Sequence, residues 1–213
     1  MQSHRKFGIH RREMSRRSPR LARSLGAIAI CAALGMAAAA CGSSSPRQAA
    51  TANLAAGIAA QEVGKYPAAT ADYNKVLAAQ PTNADALFDL GDVEQFQNLN
   101  TAAVSHYQAA LAVDPNFVAA MYNLATLVSS SSPVEAESLY RHVIRLAPKY
   151  ADAHFNLGFV LISLGRKVAG RAQINRGVAL DPSLRSRIPP SLEATTATTT
   201  TTTPANVTTT TKG

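Results

Sequence analysis

Small and apolar side chains recur along the middle of the chain at spacings of three and four, the period of a helix with one buried face. Short breaks that contain glycine, proline or serine interrupt this period at regular intervals. We predict helices over residues 50–63, 67–79, 84–97, 101–113, 118–129, 133–146, 151–164 and 168–180. The fold class predicted for the chain is therefore all-α.

The helical segments form four similar units, because prolines end them at nearly constant spacing. These prolines are 34, 33 and 34 residues apart, at Pro81, Pro115, Pro148 and Pro182. Units one to three each have a small and an aromatic residue four apart in the second helix, as Ala69 and Tyr73, Ala103 and Tyr107, Ala136 and Tyr140. Residues four apart share a helix face, so the small residue allows a neighbouring helix to approach the ring.

Two further features share a phase between units: Leu90-Gly91 matches Leu157-Gly158, and glycines occupy the mid-repeat turns at Gly64 and Gly165. With them, the sequence resembles the tetratricopeptide repeat family, in units of about 50–83, 84–117, 118–150 and 151–183. The resemblance implies a right-handed superhelical solenoid of four helix-turn-helix units. Unit three is one residue short, and we place the deletion in its serine-rich turn.

The first forty residues predict an export signal. Residues 1–24 are rich in arginine, and the charge-free run 25–40 has 16 residues, fewer than the about 20 that a membrane-spanning helix needs. Cys41 follows Ala38, Ala39 and Ala40 and precedes Gly42, a pattern that resembles the lipobox of bacterial lipoproteins. We expect cleavage before Cys41 and a lipid on its thiol, which would tether the protein to the extracytoplasmic face of a membrane. Cleavage by an ordinary signal peptidase, giving a secreted soluble protein, is the alternative.

The N-terminal segment also accounts for most of the net charge. The net charge is +8, yet eight of the 21 basic residues precede residue 24, and from Cys41 onward 13 basic side chains oppose 12 acidic ones. Without the signal, the electrostatic case for a nucleic-acid partner is lost.

Residues 41–49 are predicted to be a short linker. The threonine-rich segment 184–213 is predicted to be a disordered tail, in which Pro189 and Pro190 oppose a capping helix.

The sequence contains no motif that would support catalysis, so we predict no enzyme activity, no cofactor and no metal site. The histidines of the repeats, His106, His142 and His154, are interpreted as surface or packing residues. Three aspartates, Asp85, Asp89 and Asp92, are interpreted as a solvated acidic face rather than a metal cluster.

The resemblance implies that the first helix of each unit lines a concave groove and that fixed positions on it contact a ligand. Carried over to this chain, those positions are Phe88, Asp89, Asp92, Tyr122, Asn123, Thr126, Phe155, Asn156 and Phe159. Asparagine both donates and accepts hydrogen bonds, which suits a peptide backbone, and aromatic rings supply apolar contact area. Alternatively, Phe88, Tyr122 and Phe155 pack between helices.

These features predict a membrane-tethered, non-catalytic adaptor that binds an extended peptide or a partner protein in its groove. A self-associating structural module is the alternative. Charge is unevenly distributed, since residues 50–115 contain seven acidic and two basic residues whereas residues 116–183 contain seven basic and four acidic. A partner with the opposite polarity would be oriented by this gradient.

Overall fold

The computed structural model describes residues 45–193, and the core of this part is a series of eight helices joined by short turns. Apart from the start of α1, every helix end lies within one residue of its predicted position. The helices are α1 Pro46–Glu62, α2 Tyr66–Ala79, α3 Ala84–Phe96, α4 Asn100–Val113, α5 Val118–Val128, α6 Pro133–Leu146, α7 Ala151–Ser163 and α8 Lys167–Leu180.

Successive helices form antiparallel pairs that stack in chain order. The largest contacts join helices that are consecutive in the sequence, both within a pair and between one pair and the next. Among the described residues there are helices and no strands. The predicted all-α solenoid of helix-turn-helix units is therefore confirmed.

The first helix begins earlier than expected. Ser45 caps it, because its hydroxyl accepts a hydrogen bond from the backbone N–H of Gln48 and the Gln48 side chain accepts one from the N–H of Ser45. Pro46 takes the first helical position, where its missing N–H costs nothing. The predicted linker 41–49 is wrong for residues 46–49, which belong to α1.

Unit three is shortened in its first helix and not in its turn. Helix α5 has 11 residues, whereas α3 and α7 have 13 each, and the turn after α5 contains one residue more than the other mid-repeat turns. Serine hydroxyls explain the early end, since Ser129 donates to the carbonyl of Thr126 and Ser131 to that of Val128. Our placement of the deletion in the turn is therefore wrong.

The other three mid-repeat turns share one left-handed residue. It is Gly64 (φ +74°) in unit one, Asn98 (φ 61°) in unit two and Gly165 (φ +79°) in unit four. Glycine adopts this conformation without strain, and asparagine tolerates it better than most residues. The predicted role of the two glycines is confirmed, and Asn98 performs the same role without being evident from the sequence pattern.

Units one, two and four are each held together by a second-helix side chain that packs on a glycine of the first helix. The rings of Tyr73 and Tyr107 are fully buried, and a Cβ added at Gly57 or Gly91 would lie within 3 Å of them. Unit four replaces the tyrosine with Ile174, which packs on Gly158. The predicted close approach of helices is confirmed, and glycine provides part of the space.

Units three and four are also joined by an ionic contact. The Glu137 carboxylate accepts hydrogen bonds from Arg141 Nε (2.9 Å) and from two nitrogens of the Arg166 guanidinium. Burial raises the pKa of Glu137, but these hydrogen bonds and positive charges outweigh it and hold the pKa below its ordinary value. The contact thus connects α6 to the turn that precedes α8.

The chain remains ordered beyond residue 183, which corrects the predicted tail. A 3₁₀ helix at Pro182–Arg187 and a short helix α9 at Pro190–Glu193 follow the last repeat. Leu184 and Leu192 of these helices, and Ile188 between them, pack on a cluster formed by Phe155, Phe159, Ile162, Ile174 and Val178. The expectation that Pro189 and Pro190 oppose a cap is wrong because Pro190 begins a helix. Residues 194–213 lie outside the described part, as does the predicted signal.

The glycine contacts lead to a testable prediction. Alanine at Gly91 would place a Cβ 2.8 Å from Cε1 of Tyr107, and we expect this overpacking to cost about 1–3 kcal/mol of the free energy of unfolding. The measurement is urea denaturation monitored by circular dichroism. As a control, Ala52→Gly at an exposed position of α1 should cost about 1 kcal/mol through helix propensity alone. Equal or greater stability of Gly91→Ala would contradict the packing argument.

Candidate functional site

Side chains of the first helices form a polar row that crosses from one unit to the next. Asn123 on α5 donates to Asp92 on α3 at 2.7 Å, and Asn156 on α7 donates to the Tyr122 hydroxyl on α5 at 2.9 Å. Thr126 lies one turn after Tyr122 on the same helix. We call the surface that carries Asp92, Tyr122, Asn123, Thr126, Asn156 and, three residues further along α7, Phe159 the first-helix face.

The hydroxyl of Tyr107 contacts the two residues, Asp92 and Asn123, at the unit-two end of this row. Its oxygen is 2.7 Å from Asp92 Oδ1 and 2.8 Å from Gln95 Oε1, and it accepts a hydrogen bond of 3.2 Å from Asn123 Nδ2. Burial raises the pKa of Tyr107 well above its ordinary value, and the negative charge of Asp92 raises it further. The hydroxyl therefore keeps its proton at neutral pH and is available to donate.

Other second-helix tyrosines reach the first helix in a similar way. The Tyr73 hydroxyl donates to Gln61 Oε1 at 2.6 Å, and the Tyr140 hydroxyl is 2.9 Å from Thr126 Oγ1. Burial also raises the pKa of Tyr140. Each ring therefore fills the space between the two helices while its hydroxyl orients polar groups of the first helix.

Several predicted groove residues are buried by their neighbours. Phe88 contacts the rings of Tyr107 and Phe117, with centroid separations of 5.7 and 4.9 Å. Tyr122 contacts Tyr140 and Tyr150 at 5.8 and 4.8 Å. Phe155 is only 2% exposed and contacts Phe159. For Phe88, Tyr122 and Phe155, the structure therefore supports packing between helices, the alternative raised from the sequence.

The three aspartates of α3 occupy different environments. Asp85 is exposed, Asp92 is half-buried, and Asp89 is 2% exposed. The interpretation of all three as a solvated acidic face is therefore wrong for Asp89. Its position reflects the phase of the helix, since Ala86 and Val93, three residues before it and four after it on the same face, are also buried.

Four of the predicted groove residues remain partly accessible along the first-helix face. These half-buried residues are Asp92, Thr126, Asn156 and Phe159. Asn123 is buried within the polar row. A ligand on this face would meet a carboxylate in unit two, a hydroxyl in unit three, and an amide and an aromatic ring in unit four.

One residue of this region was missed by sequence reasoning. Arg187 follows the last repeat, and its Nη1 donates to Asp152 Oδ1 at 2.7 Å while its Cζ lies 4.9 Å from the centre of the Phe155 ring. Asp152 and Phe155 are the second and fifth residues of α7. The sequence separation of 35 residues leaves no local pattern that could have revealed this contact.

Two of the described histidines, His106 and His154, take part in local hydrogen bonds. His154 is buried, with Nδ1 2.8 Å from Gln173 Oε1 and Nε2 3.0 Å from the carbonyl of Pro148. His106 Nδ1 is 2.6 Å from Glu94 Oε2. Across residues 45–193, no three His, Cys, Asp or Glu side chains are arranged to bind a metal ion. Over the same range, no helix combines the length and apolar character that crossing a membrane requires.

Comparison with known families identifies the repeat. The tetratricopeptide repeat profile matches residues 54–95, 89–128 and 126–184, which together make up more than half of the chain. The chain belongs to the tetratricopeptide repeat family. Proteins built from this repeat are typically non-catalytic scaffolds for protein interaction. None of the curated proteins compared with the chain is significantly similar to it.

Solved structures agree with the repeat fold. YrrB, described as a TPR protein with an unusual peptide-binding site, is 22% identical over 65% of this chain and 74% of its own, with a TM-score of 0.57. MamA from Desulfovibrio magneticus RS-1 is 21% identical over 65% of this chain and 76% of its own, with a TM-score of 0.55. At these identities the likeness concerns the fold alone.

An enzyme also contains a similar segment. The O-GlcNAc transferase of Thermobaculum terrenum, in a K341M mutant, is 26% identical over 55% of this chain, with a TM-score of 0.51. The match covers 23% of the transferase. The similarity therefore concerns a small part of that enzyme.

The Tyr107 hydrogen bonds lead to a second prediction. Tyr107→Phe keeps the ring but leaves Asp92, Gln95 and Asn123 without their shared hydroxyl, so we expect a loss of about 1–3 kcal/mol in the free energy of unfolding. Tyr107→Ala also opens a cavity and should cost about 3–5 kcal/mol. Tyr66→Phe, at a half-buried tyrosine that stacks on Phe96, should change stability by less than about 0.5 kcal/mol. Denaturation of the three variants tests this order, and a Tyr107→Phe protein as stable as the wild type would refute it.

Proposed function

We propose that the chain is a non-catalytic scaffold whose first-helix face binds an extended peptide segment of a partner protein. The observation that carries this proposal is the polar row itself, in which Asp92, Asn123 and Asn156 are held by hydrogen bonds between units. Side chains fixed in advance lose little conformational freedom on binding, so they are suited to recognition.

The form of the ligand follows from the arrangement of these groups. The polar atoms are distributed over three successive first helices and are not gathered around one enclosed pocket. A ligand that reaches all of them must be elongated, and a peptide in extended conformation offers backbone donors and acceptors along its length. The peptide-binding site named for YrrB, which shares this fold, supports the same class of ligand.

Crosslinking can test the proposal at matched positions. A photoreactive phenylalanine analogue placed at Thr126 or Phe159, both half-buried on the first-helix face, should capture the same partner peptide in producing cells. The same analogue at Gln108 or Val168, exposed on the second helices α4 and α8, should not capture it. Mass spectrometry of the crosslinked peptides provides the measurement.

Three outcomes of this experiment are informative. Capture of one partner from both face positions and not from the second-helix positions supports the proposal. Equal capture from all four positions, or no specific capture, contradicts peptide binding at this face. Capture of a second copy of the chain would favour the alternative, self-association.

We further propose that the scaffold is exported and tethered to a membrane through a lipid on Cys41. This proposal rests on the sequence, where a charge-free segment ends in four alanines directly before Cys41. Two acyl chains would anchor a protein stably where one would not, at about 0.8 kcal/mol for each buried CH₂. Tethering would restrict the partners of the first-helix face to proteins in or near that membrane.

The tether has its own test. Cells that produce the full chain and are grown with a labelled fatty acid should give a labelled protein in the membrane fraction. Cys41→Ala should remove the label and release the protein, while Cys31→Ala should leave both unchanged. Label on the Cys41→Ala variant, or membrane retention without label, would contradict lipidation at this cysteine.

A further inference from the structure

The C-terminal segment places Arg187 against two side chains of the last repeat. Arg187 donates to Asp152 at 2.7 Å and lies over the ring of Phe155. The side chain of Asp152 is 11% exposed, whereas that of Arg187 is 39% exposed. The carboxylate and the ring therefore belong to the packed repeat, and the guanidinium approaches them from its outer side. We call Asp152 and Phe155 together the arginine subsite.

The subsite continues the first-helix face. Asn156, the neighbour of Phe155 on α7, binds the hydroxyl of Tyr122 on α5. Burial raises the pKa of Tyr122, with a further rise from the charge of Asp152 and an opposing effect of Arg187. Both charges therefore lie close enough to act on a residue of the face. A peptide bound along the first-helix face as far as unit four would contact Arg187 at the end of that face.

Arg187 is held on the last repeat less firmly than Asp152 and Phe155, the two residues that it contacts. It ends a six-residue 3₁₀ helix, and short helices of this type have poor hydrogen-bond geometry. Leu184 in the same helix is buried and serves as the anchor, while Ser186 and Arg187 are exposed. Local opening requires little free energy where few apolar contacts are lost. The arginine can therefore leave while Leu184 stays in place.

We propose that the arginine subsite binds an arginine side chain of the partner peptide, and that Arg187 occupies it until the peptide displaces this residue. The proposal rests on the proposed function and adds the chemistry of the partner. A planar guanidinium can stack on a ring and donate to a carboxylate at the same time, which a lysine ammonium does less well. An internal competitor also lowers the apparent affinity for the peptide, which equals the intrinsic affinity multiplied by the fraction of subsites that Arg187 leaves vacant.

The probe for this proposal is a fluorescein-labelled synthetic peptide with the sequence of residues 181–193, added to the full chain. Fluorescence anisotropy should show that Arg187→Ala binds it at least about tenfold more tightly than the wild type, because the subsite is vacant. Arg185→Ala, at an exposed arginine in the same 3₁₀ helix, should bind like the wild type. Adding Asp152→Asn to the Arg187→Ala protein should abolish the gain.

Peptide variants separate the guanidinium from the apolar anchors. A peptide with alanine in place of Arg187 should lose about tenfold in affinity for the Arg187→Ala protein, and a lysine peptide should be intermediate. Thermal denaturation of each protein identifies any variant that fails to fold. If Arg187→Ala fails to fold, Arg187→Gln, which keeps much of the side-chain volume, replaces it in the titration.

The results that would overturn the arginine subsite differ from the results that would overturn the proposed function. Equal affinity of wild type and Arg187→Ala for the peptide, or equal affinity of the arginine and alanine peptides, overturns the subsite. If the titration succeeds while crosslinking at Thr126 and Phe159 captures no partner, the subsite stands and the scaffold role falls. If crosslinking succeeds while the titration fails, the scaffold stands without an arginine subsite.

Discussion

The structure depends on the close approach of a second-helix side chain to a glycine of the first helix, which occurs in units one, two and four. At Gly57 and Gly91 the absence of a Cβ lets the rings of Tyr73 and Tyr107 lie between the paired helices. The ring sets the separation of the pair, and its hydroxyl extends to polar groups of the first helix. Packing within a unit and the arrangement of the candidate site are therefore results of one interaction.

The fold was predictable from the sequence wherever local rules decide it. Helical periodicity and the spaced prolines placed all but one of the 16 ends of the repeat helices within one residue. The errors occur where a particular side chain overrides the period. Ser45 and Gln48 cap α1 ahead of its apolar pattern, serine hydroxyls end α5 early, and Leu184 gains a buried site that only the assembled repeat provides.

The candidate site was predictable only in part, because family positions specify a helix face and not the depth of a side chain. Asn156 and Thr126 are half-buried on that face, whereas Phe88 and Phe155 are covered by side chains from other parts of the chain. Whether a position is covered depends on side chains about 20 to 30 residues away in the sequence. Arg187 shows the same limit, since its partner Asp152 lies in the first helix of the last unit, 35 residues earlier.

The last unit must cover its apolar end and leave its binding face usable, and the C-terminal segment divides these tasks between residues. Leu184, Ile188 and Leu192 cover the cluster around Ile174 and Phe155, as the end of a repeat stack requires. Arg187 lies between two of these anchors but contributes a polar contact at the surface. Exchange of the arginine therefore need not uncover the core, so the same segment can stabilise the solenoid while its charge competes with a ligand.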